Sequence, residues 1–359
     1  MYPQFSLKSD TELLSSKIRR ISTHPWRIME VCGGQTNSII RYNLNALLPN
    51  TIELVHGPGC PVCVTPAAIV DKAIALAMRN DTVLLTFGDM MRVSGSNGDT
   101  LLDVRSRGEG EIKILYSPLD ALSIAKNMPE KEIVFLAVGF ETTAPIYAIM
   151  LLEAEKRKIH NLSIISSLFT IPAAINMIGS DPECRIDGIL AAGHVCCITG
   201  EGDYIKLSEK LKKPIVITGF EPSDIMLGIY HCIEMLENRT PALYNAYRRA
   251  VGNAGNIKAK KDLYEVFEPS DKEWRGIGKI PQSGLKLKSR YEHYDALSRF
   301  LTKVESHETT LCCAGDIMCG KISVHDCPYF GKQCTPEHPM GAAMISTEGV
   351  CIILYNYAL

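Results

Sequence analysis

The residues of this sequence best suited to metal chemistry are the cysteines near its end. Six of the thirteen cysteines fall in this part of the chain, among glycine and proline residues that favour tight turns. Four thiolates can bind a structural zinc ion or a 4Fe–4S cluster. The paired CxxC knuckles typical of a zinc ribbon are missing from this sequence segment, which favours an iron–sulfur site; zinc and unrelated buried thiols remain the alternatives. The six are Cys312, Cys313, Cys319, Cys327, Cys334 and Cys351.

A second group of thiols lies near the start of the sequence. Cys32 stands in EVCGGQTN (30–37), while Cys60 and Cys63 form a CxxC in HGPGCPVCV (56–64). In a reducing compartment, a CxxC after a strand indicates a redox or metal-binding dithiol. The neighbouring glycines let the backbone approach a ligand closely, and the prolines stiffen the turn. We therefore predict a second thiol site here.

The motifs are positioned by predicted strands. Short apolar, β-branched runs end in glycine, proline or polar residues, and segments with helical apolar spacing lie between them at 67–78, 142–153 and 224–236. Such runs predict parallel sheets buried on both faces, so we expect an α/β fold. Ligands in open α/β sheets bind beyond the carboxyl ends of the strands, where both N-terminal thiol motifs and most polar motifs fall.

Changes in composition divide the chain into three predicted units. Residues 1–126 form an α/β domain with Cys32 and the GPGCPVC dithiol, and 127–238 form a second α/β domain. Two strand-end sequences, VGFETTAP and TGFEPSD, echo each other and suggest related α/β units. Residues 239–359 form a smaller, mixed, Cys-rich iron–sulfur domain, in which the segment 240–300 shows no clear strand series.

Composition excludes several function classes. With 46% hydrophobic residues, 22% charged residues and a formal net charge of −2, the 359-residue chain is typical of a soluble globular protein. This balance gives no electrostatic support for a nucleic-acid or anionic-membrane partner, and no apolar run is long enough to span a bilayer. The N-terminal sequence lacks a secretory signal. We expect a cytoplasmic protein with neither nucleic acid nor membrane as partner.

A series of motifs along the chain points to one family. EVCGG, RYNLNALLP, HGPGCPVCVTP, FGDMMRV, GFETTAP, GHVC, GFEP, DCPYFGKQCTPEHPMG and STEGVC follow one another between about residues 20 and 357. Their order resembles that of the HypD family. The resemblance implies a three-domain α/β protein with a 4Fe–4S cluster. It also implies a scaffold on which a transient iron receives carbon monoxide and two cyanides, with a HypC-like small chaperone and a HypE-like cyanide donor as partners.

The resemblance assigns roles to individual residues. It implies that Cys32 binds the transient iron and that Cys60 and Cys63 are the redox-active pair; a soft thiolate suits low-spin iron(II). Two polar residues, Asp89 of FGDM and Glu348 of STEG, match family positions near that site. The implied cluster ligands are Cys312, Cys327, Cys334 and Cys351.

The sequence departs from the family at the signature around the first thiol. The family usually has CGGHTH, whereas this chain has CGGQTN, with Gln35 and Asn37 in place of the histidines. Both residues can form hydrogen bonds, but neither takes up a proton near neutral pH as histidine does. If those histidines shuttle protons or ligate iron, we expect altered activity here.

A second departure concerns a thiol pair that in the family connects the cluster to the CxxC. Ala314 and Ala343 stand at those two places, while Cys313 and Cys319 are additional thiols. Either a rearranged pair serves as the relay or the relay is absent. Cys313 and Cys319 are also alternatives to the first cluster ligand.

Other residues have two interpretations each. His194 of GHVC can face the site or be a hydrogen-bonded structural histidine. Glu141 and Glu221 of the two GFE motifs can bind a ligand or cap helices. Free cysteine packs as a small hydrophobe, so core packing is expected for four further thiols. They are Cys184, Cys196, Cys197 and Cys232.

Together these features predict an assembly scaffold with redox activity rather than an ordinary turnover enzyme. The main alternative is a thiol–disulfide or iron–sulfur electron-transfer protein, which includes a diverged HypD paralogue. A purely structural zinc protein is the third class.

Overall fold

The computed structural model describes residues 4–300, 304–307 and 311–358. Within them, eleven strands alternate for most of the chain with fourteen α-helices. The strands are β1 (Trp26–Glu30), β2 (Ile52–His56), β3 (Thr82–Thr86), β4 (Glu111–Ile114), β5 (Glu132–Gly139), β6 (Leu162–Phe169), β7 (Gly188–Ala192), β8 (Ile215–Thr218), β9 (Leu243–Asn245), β10 (Phe267–Trp274) and β11 (Gly278–Leu287). The helices are α1 (Gln4–Ile21), α2 (Gly33–Arg41), α3 (Ala67–Ala77), α4 (Leu101–Ser106), α5 (Asp120–Asn127), α6 (Ala144–Lys156), α7 (Ile171–Ser180), α8 (Gly193–Thr199), α9 (Gly202–Leu211), α10 (Pro222–Glu237), α11 (Ile257–Val266), α12 (Ala296–Phe300), α13 (Ala314–Met318) and α14 (Val350–Ala358).

Two sheets organise these elements. The first has the order β2-β1-β7-β8-β9 and is parallel throughout. The second has the order β10-β11-β6-β5-β3-β4, in which β3 to β6 are parallel and the β10–β11 hairpin is antiparallel. The apolar runs form central strands such as β3 and β7, in which every residue is buried. The expected parallel-sheet α/β fold is confirmed.

Each sheet takes its strands from separate parts of the chain. The first sheet combines β1 and β2 with β7, β8 and β9, whereas the second combines β3 to β6 with β10 and β11. The chain therefore passes between the sheets after β2, after β6 and after β9. Sheet membership does not follow the order of the three predicted units, and the boundaries at 126/127 and 238/239 stay predictions.

The expectation of no clear strands in 240–300 was wrong. Strands β9, β10 and β11 all lie there. In β10 both terminal side chains are buried, while exposed or half-buried polar residues lie between them, so no continuous apolar run marks the strand. Gly276, with φ of 72°, lies in the turn that joins β10 to β11.

The Cys-rich segment after residue 311 is built from turns. Its regular elements before α14 are the short helix α13 and two 3₁₀ turns, Val324–Asp326 and Ala342–Met344. Helix α14 packs on α2, and the largest buried apolar cluster joins β1 and β7 to this segment. The C-terminal thiols are therefore held against the first sheet. Among the described residues, no helix combines the length and apolarity needed to cross a membrane.

Candidate functional site

Two loops meet at the carboxyl ends of β1 and β2. Cys32 follows β1 and precedes α2, and the HGPGC loop follows β2. The Gly33 N–H donates to the Gly59 carbonyl over 3.3 Å, and the Gly57 N–H donates to the Glu30 carbonyl over 2.7 Å. A Cβ at Gly59 would overlap the Cys32 backbone, so only glycine permits this approach.

Cys32 is buried where these loops meet. Its side chain is 6% exposed, and its sulfur lies 3.9 Å from Nδ1 of His194. Burial raises the pKa of the Cys32 thiol to about 12; the negative charges of Glu30 and Glu348 act in the same direction, against backbone N–H groups of Gln35 and Gly34. The thiol is therefore protonated near neutral pH, and a bound metal ion would displace its proton.

Glu30, at the end of β1, positions the loop that carries Cys32. One carboxylate oxygen accepts the Cys32 N–H over 2.8 Å, and the other lies 2.8 Å from Nδ1 of His56 and accepts the hydroxyl of Thr36. Glu30 is almost completely buried. Sequence reasoning missed Glu30 and His56; the signal available was a carboxylate within an apolar strand, two residues before the thiol, which needs a partner when buried.

Cys60 and Cys63 are joined by a disulfide bond. Both residues are 3% exposed, and their Cα atoms lie 5.2 Å apart. The sulfur of Cys63 lies 3.9 Å from the carbonyl oxygen of Ala342, in the Cys-rich segment. The disulfide therefore lies between the Cys32 loop and the C-terminal thiols.

Asp89 and Glu348 lie together beside the Cys32 loop. Ser346 donates its hydroxyl to Asp89 over 2.8 Å, and the Arg92 guanidinium donates to the Ile345 carbonyl over 3.0 Å. These bonds fasten the loop of Glu348 to the FGDM turn. A Cβ at Gly33 would overlap Glu348, so that loop also contacts the CGG motif.

The pKa of the Glu348 carboxyl is raised by local desolvation and then by the negative charge of Asp89. A carboxyl group with a raised pKa, close to a thiol, can exchange protons with it. Of the two residues implied by the resemblance, Glu348 thus lies against the Cys32 loop, and Asp89 lies behind it, bonded to Ser346.

His194 and Phe220 also lie beside Cys32. The two rings lie 5.0 Å apart, and a Cβ at Gly34 would touch both the Phe220 ring and the Cys32 sulfur. Burial lowers the pKa of His194 to about 4, so the imidazole is neutral at neutral pH. Of its two interpretations, the structure therefore supports the one in which His194 faces the thiol.

The two GFE glutamates do not reach this site. Glu141 is buried at the end of β5, where it accepts the Ile171 N–H over 2.9 Å and so caps α7. Burial raises the pKa of Glu141 to about 7. Glu221 lies at the start of α10 without a side-chain capping bond.

The four implied cluster ligands lie within electrostatic range of one another. Burial raises the pKa of the Cys351 thiol far above its ordinary value, and the thiols of Cys312, Cys334 and Cys327 raise it further. The Cys334 sulfur accepts the Met340 N–H over 3.4 Å.

A tight backbone turn packs on one of these sulfurs, because a Cβ at Gly341 would overlap the Cys312 sulfur. Several thiols surrounded by close backbone suit a thiolate-bound cluster. Over the described residues, no group of three or more His, Cys, Asp or Glu side chains is arranged to hold a single metal ion.

The two additional thiols lie in different places. Cys313 is close to Cys327, whose thiol raises the pKa of Cys313 after the effect of burial. The charged or ionisable groups with the largest effect on Cys319 are instead Lys321, Asp316, Asp181 and Cys184. Cys319 thus faces a different part of the molecule, and the choice of first ligand stays a prediction.

Comparison with known proteins identifies the family. The HypD family model, described as the hydrogenase formation hypA family, matches residues 10–358. The chain belongs to the HypD family. It is 42% identical over 341 residues to the hydrogenase maturation factor HypD2 of Bradyrhizobium diazoefficiens, covering 93% of this chain and 90% of that protein. It is 38% identical over 358 residues to HypD of Rhodobacter capsulatus (98% and 94% covered) and 37% over 345 residues to HypD of Escherichia coli (96% and 92% covered).

The positions at which the sequence was expected to depart from the HypD signature can be located in the structure. Gln35 is fully buried on α2; its amide nitrogen lies 3.4 Å from the carbonyl oxygens of Ala191 and Thr218, at the ends of β7 and β8. Its side chain thus joins two strand ends. Ala314 and Ala343 are buried, and Ala343 follows the carbonyl group that contacts Cys63.

Proposed function

We propose that this protein is the scaffold, with redox activity, on which the iron of a nickel–iron hydrogenase receives two cyanides and one carbon monoxide. The observation that carries the proposal is the position of Cys32. Its buried thiol lies where two strand-end loops and the Glu348 loop meet, with a neutral imidazole 3.9 Å from its sulfur. A single buried thiol beside a neutral imidazole suits an iron atom that is bound, modified and released.

The residues around Cys32 have distinct roles in this proposal. Cys32 anchors the iron(II) substrate, because a soft thiolate suits low-spin iron carrying cyanide and carbon monoxide. Its proton must leave when iron binds, and the neutral imidazole of His194 lies beside the sulfur. Glu30 fixes the loop through the Cys32 N–H. Glu348 and Asp89 hold or move protons at the edge of the site.

We further propose that Cys312, Cys327, Cys334 and Cys351 hold a 4Fe–4S cluster. Such a cluster supplies electrons one at a time when bound. Support comes from the mutual electrostatic effects of the four thiols, the Met340 N–H on the Cys334 sulfur and the close approach of Gly341 to Cys312. Backbone N–H groups directed at sulfur stabilise thiolates. Cys60 and Cys63 then serve as the dithiol that exchanges electrons.

The proposal includes partners and a compartment. A HypC-like small chaperone would share the iron substrate, and a HypE-like protein would donate cyanide. Membership of the HypD family supports both partners. Thirteen cysteines, of which the structure joins only Cys60 and Cys63 among the residues it describes, fit a reducing cytoplasm.

A second candidate is a thiol–disulfide electron-transfer protein. The Cys60–Cys63 disulfide, which touches the Cys-rich segment through Ala342, favours it. The two candidate functions predict different properties of the purified protein. A scaffold co-purifies with a small partner and a second iron that is lost in Cys32→Ala, whereas an electron-transfer protein reduces a protein disulfide without either.

Mössbauer and infrared spectroscopy test the proposal. Protein purified anaerobically after co-expression with its HypC-like partner should show cyanide and carbon monoxide stretching bands together with a 4Fe–4S signal. That result would also show that Gln35 and Asn37 suffice in place of histidine. A cluster signal without those bands, with the partner bound, would refute the scaffold function and favour electron transfer.

A further inference from the structure

A second thiol pair lies outside the site described above. Cys184 and Cys319 line one cavity of about 570 Å³ together with Met177, Asp181 and Lys321. Both thiols are partly exposed and pack against the edge of the largest apolar cluster, so the core packing expected for Cys184 is found only at the edge of the core. The cavity lies between the turn that precedes β7 and the carboxyl end of α13.

The turn and the helix end pack directly on each other. A Cβ at Gly320, the residue after Cys319, would touch the side chain of Ile186. The Ile186 N–H in turn donates to the Cys184 sulfur over 3.4 Å. The Arg27 guanidinium donates to the Gly320 carbonyl over 3.2 Å and so fastens the helix end to β1. The two thiols therefore line the same cavity, and the Cys184 thiol lies within electrostatic range of Cys319.

The surroundings of the two sulfurs differ. The Lys213 ammonium lies 3.7 Å from the Cys184 sulfur and also donates to the Ile186 carbonyl. Burial raises the pKa of Cys319 to about 11, and Asp316, Asp181 and Cys184 raise it further while Lys321 lowers it. An adjacent cation favours nucleophilic attack by a thiol. Cys184 is therefore the attacking thiol and Cys319 the resolving one.

We propose that Cys184 and Cys319 are a redox-active dithiol that a small-molecule disulfide oxidises to an intramolecular disulfide. The Cys184 sulfur attacks one sulfur of the small disulfide, and the first small thiol leaves with the Cys184 proton. The Cys319 sulfur then attacks Cys184, and the second small thiol leaves with the Cys319 proton. The protein loses two electrons and two protons, and the small disulfide gains both.

This disulfide would join the turn before β7 to the end of α13. The other end of α13 directly follows Cys312 and Cys313, so oxidation would fix the position of the segment that carries these thiols. The pair is independent of the scaffold function, because neither its chemistry nor its detection requires iron at Cys32.

Peptide mapping tests the proposal. The full-length protein, purified anaerobically, is incubated with oxidised glutathione, blocked with an alkylating agent and cleaved before aspartate. Cleavage releases residues 181–186 and 316–325, each with a single cysteine. We expect about tenfold more of the linked pair than in protein kept reduced. The linked pair should disappear on reduction and in Cys319→Ser.

Two variants serve as controls that distinguish the Cys184–Cys319 disulfide from other thiol reactions. Cys313→Ser should retain the 181–186/316–325 link, because Cys313 lies near Cys327 instead. In Cys319→Ser, Cys184 should accumulate as a mixed disulfide with glutathione, and an unchanged circular-dichroism spectrum should show that the variant is folded. Mixed disulfides on both cysteines of the unaltered protein, with no linked peptide, would overturn the proposal.

Discussion

The Cys32 region and the C-terminal thiol region are held by different means. Cys32 and the disulfide follow strands β1 and β2, and hydrogen bonds between their loops and a buried carboxylate fix their positions. Five of the six C-terminal thiols lie outside helices, and Cys351 lies in α14. Between residues 311 and 349 the longest regular element is α13, with five residues. The first region is built by the sheet, whereas the second has little backbone structure of its own.

This difference predicts which region depends on a bound group for its folded structure. Strand-end loops are positioned by the sheet core before any ligand binds. A turn segment with several thiols gains much of its folding energy from metal–ligand bonds. The two regions should therefore respond differently to backbone substitutions and to metal removal.

The largest effect is expected from Gly59→Ala. The new Cβ would overlap the Cys32 backbone, which has no freedom to move away at the end of β1. We expect the free energy of unfolding to fall by about 3 kcal/mol or more, with loss of soluble protein. Gly202→Ala is the matched control, because nothing lies within 4 Å of its Cβ position. Equal urea midpoints for the two variants would contradict this account of the loop contact.

Removal of iron from the proposed cluster should affect the C-terminal thiol region and leave the Cys32 region unchanged. After treatment with an iron chelator under anaerobic conditions, hydrogen-exchange protection in 312–349 should fall about tenfold or more. Protection of β1 and β2 should stay within about twofold. Hydrogen exchange followed by mass spectrometry measures both in one sample. A uniform loss across the chain, or none, would contradict the contrast between the regions.

The buried carboxyl group of Glu141, after β5, should make the free energy of unfolding depend on pH. Because burial raises its pKa from 4.5 to about 7, the folded protein binds this proton more tightly than the unfolded chain. Its contribution to stability is therefore complete below pH 4.5 and is lost as the pH rises towards 7, by about 3 kcal/mol. Glu141→Gln should remove this component. Urea unfolding at pH 5 and pH 8 checks it, and an unchanged pH dependence in the variant would refute the assignment.

A smaller effect is expected from Glu30→Gln. The substitution keeps the shape of the side chain but removes the charge that His56 and the Cys32 N–H contact. We expect a loss of about 2 kcal/mol in the free energy of unfolding, with no change in the iron content of the proposed C-terminal cluster. Glu53→Gln on β2 breaks an exposed ion pair with Arg27 and should change stability by less than about 1 kcal/mol. Similar losses in both variants would show that Glu30 has no special role.

The sequence predicted the regions whose structure is determined by residues close together in the chain. Continuous apolar runs marked the central strands, and helices α3, α6 and α10 lie where the apolar spacing predicted them. The GPGCPVC motif indicated a dithiol at a strand end, and the structure has it as a disulfide. In these cases the pattern and the structure depend on the same few neighbouring residues.

What escaped prediction depends on contacts between distant residues. Strand β10 has exposed and half-buried residues between its two buried ends, so no apolar pattern in the sequence predicted it. The division of strands between two sheets depends on pairings such as β1 with β7, about 160 residues apart. Glu30 and His56 are in contact across two neighbouring strands. The carboxylate in an apolar strand signals the need for a partner, but no local pattern identifies His56 as that partner.

The most direct test of the central claim is Mössbauer spectroscopy of two variants, each co-expressed with the HypC-like partner. The claim is that Cys32 holds the iron being assembled and that the C-terminal thiols hold the cluster. Cys32→Ala should lose the low-spin iron(II) signal and keep the cluster signal, while Cys334→Ala should lose the cluster signal. A low-spin iron signal that survives in Cys32→Ala would contradict the claim.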